Sequence, residues 1–170
     1  MKLKAVSLIF LFAIFASFIM AQDHTKEDAF AKQIFLSLQN NDYASFKKLY
    51  PSFDEYKELM QMMLDAGMAD LTKEKVAGFL EDYKRESDST YHAEFNKLIN
   101  QADSVGVKWK EASFVKFEFV SAYPDNFSRK YLNGDIHFSC GKSSFIVGGI
   151  EGVELPSSYK IQEVKEIRRE

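Results

Sequence analysis

The chain has 170 residues, of which 22 are basic and 25 acidic, so its formal net charge is −3. An acidic balance without a basic run disfavours nucleic-acid binding, because no surface is available to neutralise phosphates. A single cysteine, Cys140, cannot form an internal disulfide, so stability must come from packing.

The first 21 residues have the pattern of a secretory signal. Lys2 and Lys4 precede a long apolar run, and the small residue Ala21 stands before the polar Gln22. We expect cleavage after Ala21, which predicts an exported protein, periplasmic or extracellular, with no membrane attachment once the leader is removed. The alternative is a retained anchor, because the apolar run is nearly long enough to span a bilayer.

Residues 22–170 are predicted to form one domain, since this length can bury a substantial core. Removing the two leader lysines leaves 20 basic against 25 acidic side chains, a formal charge of −5. Exported domains without disulfides are more typical of bacteria than of small animal secreted proteins, which predicts a bacterial source. The sequence does not determine the oligomeric state.

Helical periodicity fills the first half of this domain. A first helix is predicted from Thr25 to a polar break at residues 40–42, and a short second helix ends before Pro51. Ser52 and Glu55 have the spacing of a capping box and begin a third helix.

A fourth helix of about 30 residues is predicted to begin after Thr72. The apolar period of Val76 and Phe79 continues in Phe95 and Leu98, across a wholly polar stretch without Gly or Pro. One long helix therefore fits the pattern better than two.

From Val107 onward the period changes to two, which is typical of strands. Val115, Phe117 and Phe119 are predicted to be buried, and residues 123–126 to form a turn. Asn133-Gly134 fits either a bulge in one strand or a hairpin turn, and we favour the bulge.

Two further strands are predicted, over residues 144–150 and 159–167. Consecutive strands imply antiparallel pairing, and the separation of helices from strands implies α+β. The predicted fold is a set of N-terminal helices packed on a curved antiparallel sheet of about four strands.

This order of elements, N-terminal helices followed by a curved antiparallel sheet, resembles the cystatin-like roll of the NTF2-like superfamily, in particular its small exported bacterial members. The resemblance lies in residues 35–42 with Phe46 and 49–50, in Gly134-Asp135-Ile136-His137-Phe138, and in the closing 159–161. It implies a cone whose interior is either a ligand pocket or a solid core. The helical stretch from residue 52 to 102 is longer than the minimal fold needs.

An isomerase of that superfamily would use an acidic base inside the cone facing a tyrosine donor. The strands offer Glu118 and Asp135, with Tyr123, Tyr131 and Tyr159 nearby. Both acids alternate with buried residues, so we expect them to face solvent.

His137 shares a face with Asp135 and could act as a general acid or base, although an exposed strand histidine is the simpler interpretation. His92 with Asp88 is too small a set to bind a metal, and no metal site or cofactor is predicted. We interpret Cys140 as a small buried side chain rather than a redox thiol.

Two functions of different class remain. The first is an exported non-enzymatic binding domain for a small apolar ligand, a peptide or an envelope partner. The second is a small isomerase- or hydrolase-type enzyme that uses Asp135 or Glu118 with His137 and a tyrosine. The second requires an acid and a donor that converge in a concave apolar pocket.

Overall fold

The computed structural model describes residues 25–67, 70–124, 130–156 and 158–170, without side chains at 25 and 120–124. Outside the described residues lie the leader with its last residue Ala21, Met68, and the part of the predicted turn that follows Pro124. No helix in the described ranges combines the length and the apolar character needed to cross a membrane.

The four predicted helices are confirmed. They are α1 Thr25–Gln39, α2 Tyr43–Lys47, α3 Phe53–Asp65 and α4 Lys73–Ser104. The predicted capping box is formed: Ser52 Oγ accepts from the Glu55 N–H, and the Glu55 carboxylate accepts from the Ser52 N–H at 2.7 Å. Thr72 caps α4 by accepting from the Lys75 N–H, which fixes the start of that helix.

Helix α4 is a single helix of 32 residues, about 48 Å long at 1.5 Å per residue. Its second half buries Phe95, Leu98 and Ala102 in the main core. Its first half packs on α3, where Leu59 and Met60 belong to a separate small apolar cluster. The pair α3–α4 is therefore a helical hairpin that extends from the main body.

The sheet is antiparallel, with the strand order β1-β2-β3-β4 and a short β5 that also pairs with β3. The strands are β1 Ala112–Pro124, β2 Lys130–Cys140, β3 Ser143–Glu154, β4 Tyr159–Glu163 and β5 Glu166–Arg169. The helices pack on one face of this curved, open sheet, which confirms the predicted α+β class.

Residues 133–134 lie within one continuous strand, β2, as predicted, and not in a hairpin turn. Two register shifts lie beside these residues. One is in β1, between Phe119 and Ser121. The other is in β3, in the segment that pairs with Gly134 to Ile136 of β2. The extra residues therefore belong to the neighbouring strands.

Three predicted details of the sheet are wrong. Val115 is 59% exposed, because a register shift in β1 turns it outward and Phe114 pairs with Phe138 instead. The predicted final strand is divided into β4 and β5, because the Val164 N–H turns away to the Glu94 carboxylate at 2.8 Å. Tyr123 and Pro124, predicted to begin a turn, end β1.

The inner face of the sheet is filled by a continuous core. Phe138 stacks between Trp109 and Phe145, with ring centroids 5.5 Å from each, and Phe35 of α1 contacts the same ring. Gln39 fixes the end of α1 to the start of the sheet by donating to the Trp109 and Ala112 carbonyls. The space that a cone interior would offer to a ligand is occupied by side chains here.

Candidate functional site

The acids proposed for an enzyme lie on the outer face of the sheet, opposite the helices. Glu118 and Asp135 are cross-strand neighbours, and His137 follows on the same face of β2. The Glu118 side chain is 54% exposed. The structure brings these three residues near one another but not into a concave apolar pocket.

His137 is more covered than an exposed strand histidine, with 14% of its side chain accessible. Nε2 lies 3.1 Å from the Glu118 carboxylate, and Nδ1 lies 3.1 Å from that of Glu170. Lys116 also binds Glu118 at 2.6 Å, and it is the main cause of the lowered Glu118 pKa. Both ring nitrogens are thus engaged by carboxylates.

Asp135 does not face open solvent, because its side chain is only 27% exposed. One carboxylate oxygen accepts from the Gly149 N–H at 2.8 Å, and the other lies 3.3 Å from Arg168 Nη2. These bonds hold the glycine bulge of β3 and connect β5 to β2. The burial and the contacts of Asp135 are therefore explained by a structural role in this fold.

Of the tyrosines named with these acids, Tyr159 pairs with a different carboxylate. The side chain of Tyr123 is outside the described part of the chain, and Tyr131 is half-buried on β2. Tyr159 is buried, and its hydroxyl donates to the buried Glu27 carboxylate at 2.9 Å. This acid and tyrosine pair ties α1 to β4, and sequence reasoning did not find it because the residues are 132 positions apart.

The remaining polar candidates have ordinary partners. Asp88 accepts from Tyr43 and pairs with Lys47 at 2.6 Å, and these two bonds lower its pKa. The His92 ring packs edge-on against Tyr43. Among the described residues, no three His, Cys, Asp or Glu side chains converge on a metal site. Cys140 is buried, with Sγ 3.3 Å from the Lys108 nitrogen.

An open groove of ≈ 870 Å³ lies between α2, the start of α3 and the middle of α4. We call it the tyrosine groove. Aromatic and lysine side chains dominate its lining, which consists of Ala44, Lys47, Lys48, Tyr50, Pro51, Ser52, Phe53, Tyr83, Lys84, Ser87, Tyr91 and Lys160.

The rings of the groove form a chain that joins the main core to the α3–α4 hairpin. Tyr50 stacks on Tyr91 with centroids 3.8 Å apart, and Tyr91 meets Tyr83 edge-on at 6.4 Å. Tyr83 stacks on Tyr56 at 4.2 Å and donates its hydroxyl hydrogen to the Pro51 carbonyl. These contacts hold the groove wall in a defined shape.

The groove tyrosines remain neutral hydroxyl groups. Burial is the largest cause of the raised pKa of Tyr50, Tyr83 and Tyr91, and the Glu94 carboxylate adds to it at Tyr50. The Tyr50 hydroxyl is buried without a hydrogen bond of normal geometry. The site therefore presents phenol groups and not phenolates.

Among the residues that the structure describes, four lysines and no carboxylate line the groove, although the whole chain carries more acid than base. Lys47 pairs with Asp88, Lys84 with Glu81 at 3.6 Å and Lys160 with Glu55 at 3.2 Å. These acids stand outside the lining.

Lys160 is the most covered of the four, with 13% of its side chain exposed. Its ammonium also lies 3.3 Å from the Lys48 carbonyl, so it joins β4 to the chain between α2 and α3. Lys48 itself makes no ion pair with any residue that the structure describes. The groove thus has a fixed cation at one end and, beside it, Lys48, whose charge contributes to the lowered pKa of the nearby Asp42.

A second groove, of ≈ 590 Å³, runs along α1 to the turn between β3 and β4. Its lining mixes apolar side chains such as Phe30 and Leu155 with lysines and the acids Asp42 and Glu154. We call it the α1 groove, and it lacks the single sign of charge seen in the tyrosine groove.

Compared with models of protein families, with curated proteins and with solved structures, the chain has no match in any of the three. A function for the chain must therefore be inferred from the geometry of the described residues.

Proposed function

We propose that the chain is an exported, non-enzymatic binding domain whose ligand occupies the tyrosine groove. The observation that carries the proposal is the lining: four lysines and four aromatic rings, without a carboxylate, in a chain of net negative charge. Concave sites with apolar walls and a few convergent polar groups are the usual form of ligand sites. The groove has this form, and its volume is in the range typical of such sites.

The position of the groove also supports binding rather than a purely structural role. Its wall is built from three separate parts of the chain, and Tyr83 and Lys160 fasten these parts by bonds to the backbone of residues 48–51. A wall held in this way needs little reorganisation when a ligand enters, which favours affinity.

Export belongs to the same proposal. The apolar leader with Ala21 at its end supports cleavage and a periplasmic or extracellular location. The resemblance to exported bacterial NTF2-like proteins is compatible with this proposal, and it would place the binding site outside the cone rather than within it.

The enzyme alternative is supported by one specific contact, the buried pair of Glu27 and Tyr159. An acid held beside a tyrosine hydroxyl is the combination that an isomerase of this type would use. Glu27 and Tyr159 are only 6% and 5% exposed, so little of either side chain is open to a substrate, although Tyr159 borders the α1 groove. The isomerase-type enzyme is therefore our second candidate function, with Glu27 in the role of acidic base that was first considered for Glu118 and Asp135.

Native mass spectrometry tests the binding proposal. The full chain is expressed with its leader, and the recovered protein is compared with a Lys47→Glu, Lys84→Glu variant and with a Lys57→Glu control that changes an exposed lysine outside the lining. We expect a non-covalent small molecule on the wild type and the control, and none on the double variant. Equal retention by all three would contradict the assignment of the site.

A further inference from the structure

We infer that the ligand of the tyrosine groove is a small ring-bearing anion, an arene or fused-ring compound that carries a carboxylate, sulfonate or phosphate. The inference rests on the proposed function and narrows it to a chemical class. This class fits because one such ligand molecule contacts both the aromatic rings and the lysine ammonium groups of the lining.

The rings offer a surface on which a planar ligand can pack. Phe53, Tyr83 and Tyr91 are half-buried, so part of each ring borders the groove. Phe53 and Tyr83 lie with centroids 6.2 Å apart and are tilted by 46°, which leaves an angular aromatic wall rather than a flat one. Offset and edge-on contacts of this kind favour aromatic partners beyond their area alone.

The lysines provide the anion contact. Lys84 Nζ stands over the face of the Phe53 ring, 4.7 Å from its centre, so one cation lies on the aromatic wall itself. Each ammonium has three N–H donors, and the ion pairs of Lys47, Lys84 and Lys160 use only some of them. An anionic group attached to a ring can therefore reach a cation without leaving the wall.

The surroundings of the groove favour a small anion over a long polyanion. On α4 the lining residues Tyr83 and Lys84 are flanked by Glu81, Asp82 and Glu86, which are exposed and lie outside the groove. Arg85 pairs with Asp82 and Glu86, so this flank carries three carboxylates against one cation outside the groove. A chain of negative charges that continued past the groove would meet these carboxylates, and like charges at an interface weaken binding.

The test uses two fluorescent dyes that share a ring system. 8-Anilinonaphthalene-1-sulfonate carries a negative charge, and N-phenyl-1-naphthylamine is its neutral counterpart. We expect the sulfonate to bind the full chain roughly tenfold more tightly, and added salt to weaken the sulfonate alone. A merely apolar groove would give the opposite order, because the neutral dye is the more apolar.

Single substitutions in the two groove linings identify the groove in which the dye binds. Lys84→Gln and Lys47→Gln change lysines that line the tyrosine groove and not the α1 groove, so each should weaken sulfonate binding by roughly two- to fivefold, as exposed ion pairs do, and leave the neutral dye unchanged. Lys26 lines the α1 groove and is exposed, so Lys26→Gln is the matched control and should change neither affinity. Phe53→Leu keeps an apolar side chain but removes the ring, and it should weaken both dyes.

The outcomes separate the two proposals. Equal affinities for the dyes, with no effect of Lys84→Gln, would overturn the ring-bearing anion and leave a neutral ligand in the same groove. Weakening by Lys26→Gln instead of Lys84→Gln would overturn the assignment to this groove. If neither dye binds and native mass spectrometry detects no ligand, both the proposed function and this inference fail.

Discussion

Replacing Gly134 by alanine tests the pairing of β1 and β2. A Cβ atom at this position would stand 2.5 Å from Phe117 Cζ and 2.6 Å from the Glu118 carbonyl oxygen. The backbone of Gly134 is outside the left-handed region, so alanine is not excluded by its φ angle. The cost of Gly134→Ala is therefore steric, and it depends on how closely the two strands approach.

Overpacking of a buried site typically costs about 1–3 kcal/mol, and contacts to backbone atoms cannot be relieved by a rotamer change. We expect a loss of about 2–3 kcal/mol in the free energy of unfolding, which lowers the Tm by roughly 4–12 °C in a domain of this size. Equilibrium urea unfolding followed by circular dichroism measures the first quantity directly.

Two further variants make this test specific. Phe117→Leu removes the ring, so Gly134→Ala should cost less in that background, although the contact with the Glu118 carbonyl remains. Gly78 is an exposed residue in α4, and a Cβ atom added there would meet no other atom within 4 Å. At Gly78 the same substitution should stabilise by about 0.5–1 kcal/mol. A neutral or stabilising Gly134→Ala would refute the close approach of the strands.

Three other expectations follow from single contacts. Burial is the main cause of the raised Glu94 pKa, so the folded state holds this proton more tightly than the unfolded state does. The protonated Glu94 carboxyl therefore stabilises the fold at low pH, and this stabilisation is lost as the pH rises through the raised pKa. Glu94→Gln keeps an acceptor for the Val164 N–H, and urea unfolding should show the variant gaining stability relative to wild type as the pH rises above about 4, the ordinary range of a glutamate pKa. Ser52→Ala removes the cap of α3 and should cost about 1 kcal/mol by the same assay, and no loss would contradict the observed capping box. Cys140 is buried against Lys108, so a thiol reagent should label it slowly in the native protein and rapidly in urea, whereas equal rates would contradict its burial.

The helices could be predicted from the sequence because their signals are local. The Ser52 and Glu55 box and the Thr72 cap lie next to the elements they begin. Helix α4 continues across its polar centre as predicted, although Phe79, which the apolar period included, is 45% exposed. The alternation of Ile136 and Phe138 likewise placed one face of β2 in the core. Each of these signals needs only neighbouring residues.

The register of the sheet could not be predicted in the same way. Val115 was expected to be buried because simple alternation does not include the shift between Phe114 and Lys116. That shift depends on pairing with β2, some twenty residues away along the chain. The division between β4 and β5 similarly depends on Glu94, which lies on a helix.

The tyrosine groove was missed because its parts are separate in the chain. Tyr50, Tyr83 and Tyr91 follow the helical period, so the pattern assigned them to the core and gave no reason to ask which ring edges remain accessible. Lys160 comes from β4 and meets the lysines of α2 and α4 only in the folded protein. A site of one charge sign assembled from three separate parts of the chain has no signal in local sequence.

Two-dimensional NMR of the full chain with added 8-anilinonaphthalene-1-sulfonate is the most direct test that the groove is the binding site. We predict amide shift changes concentrated at residues 47–53 and 83–91 and at Lys160. Changes concentrated along α1 and residues 154–159, or around His137 on the outer face of the sheet, would contradict this assignment.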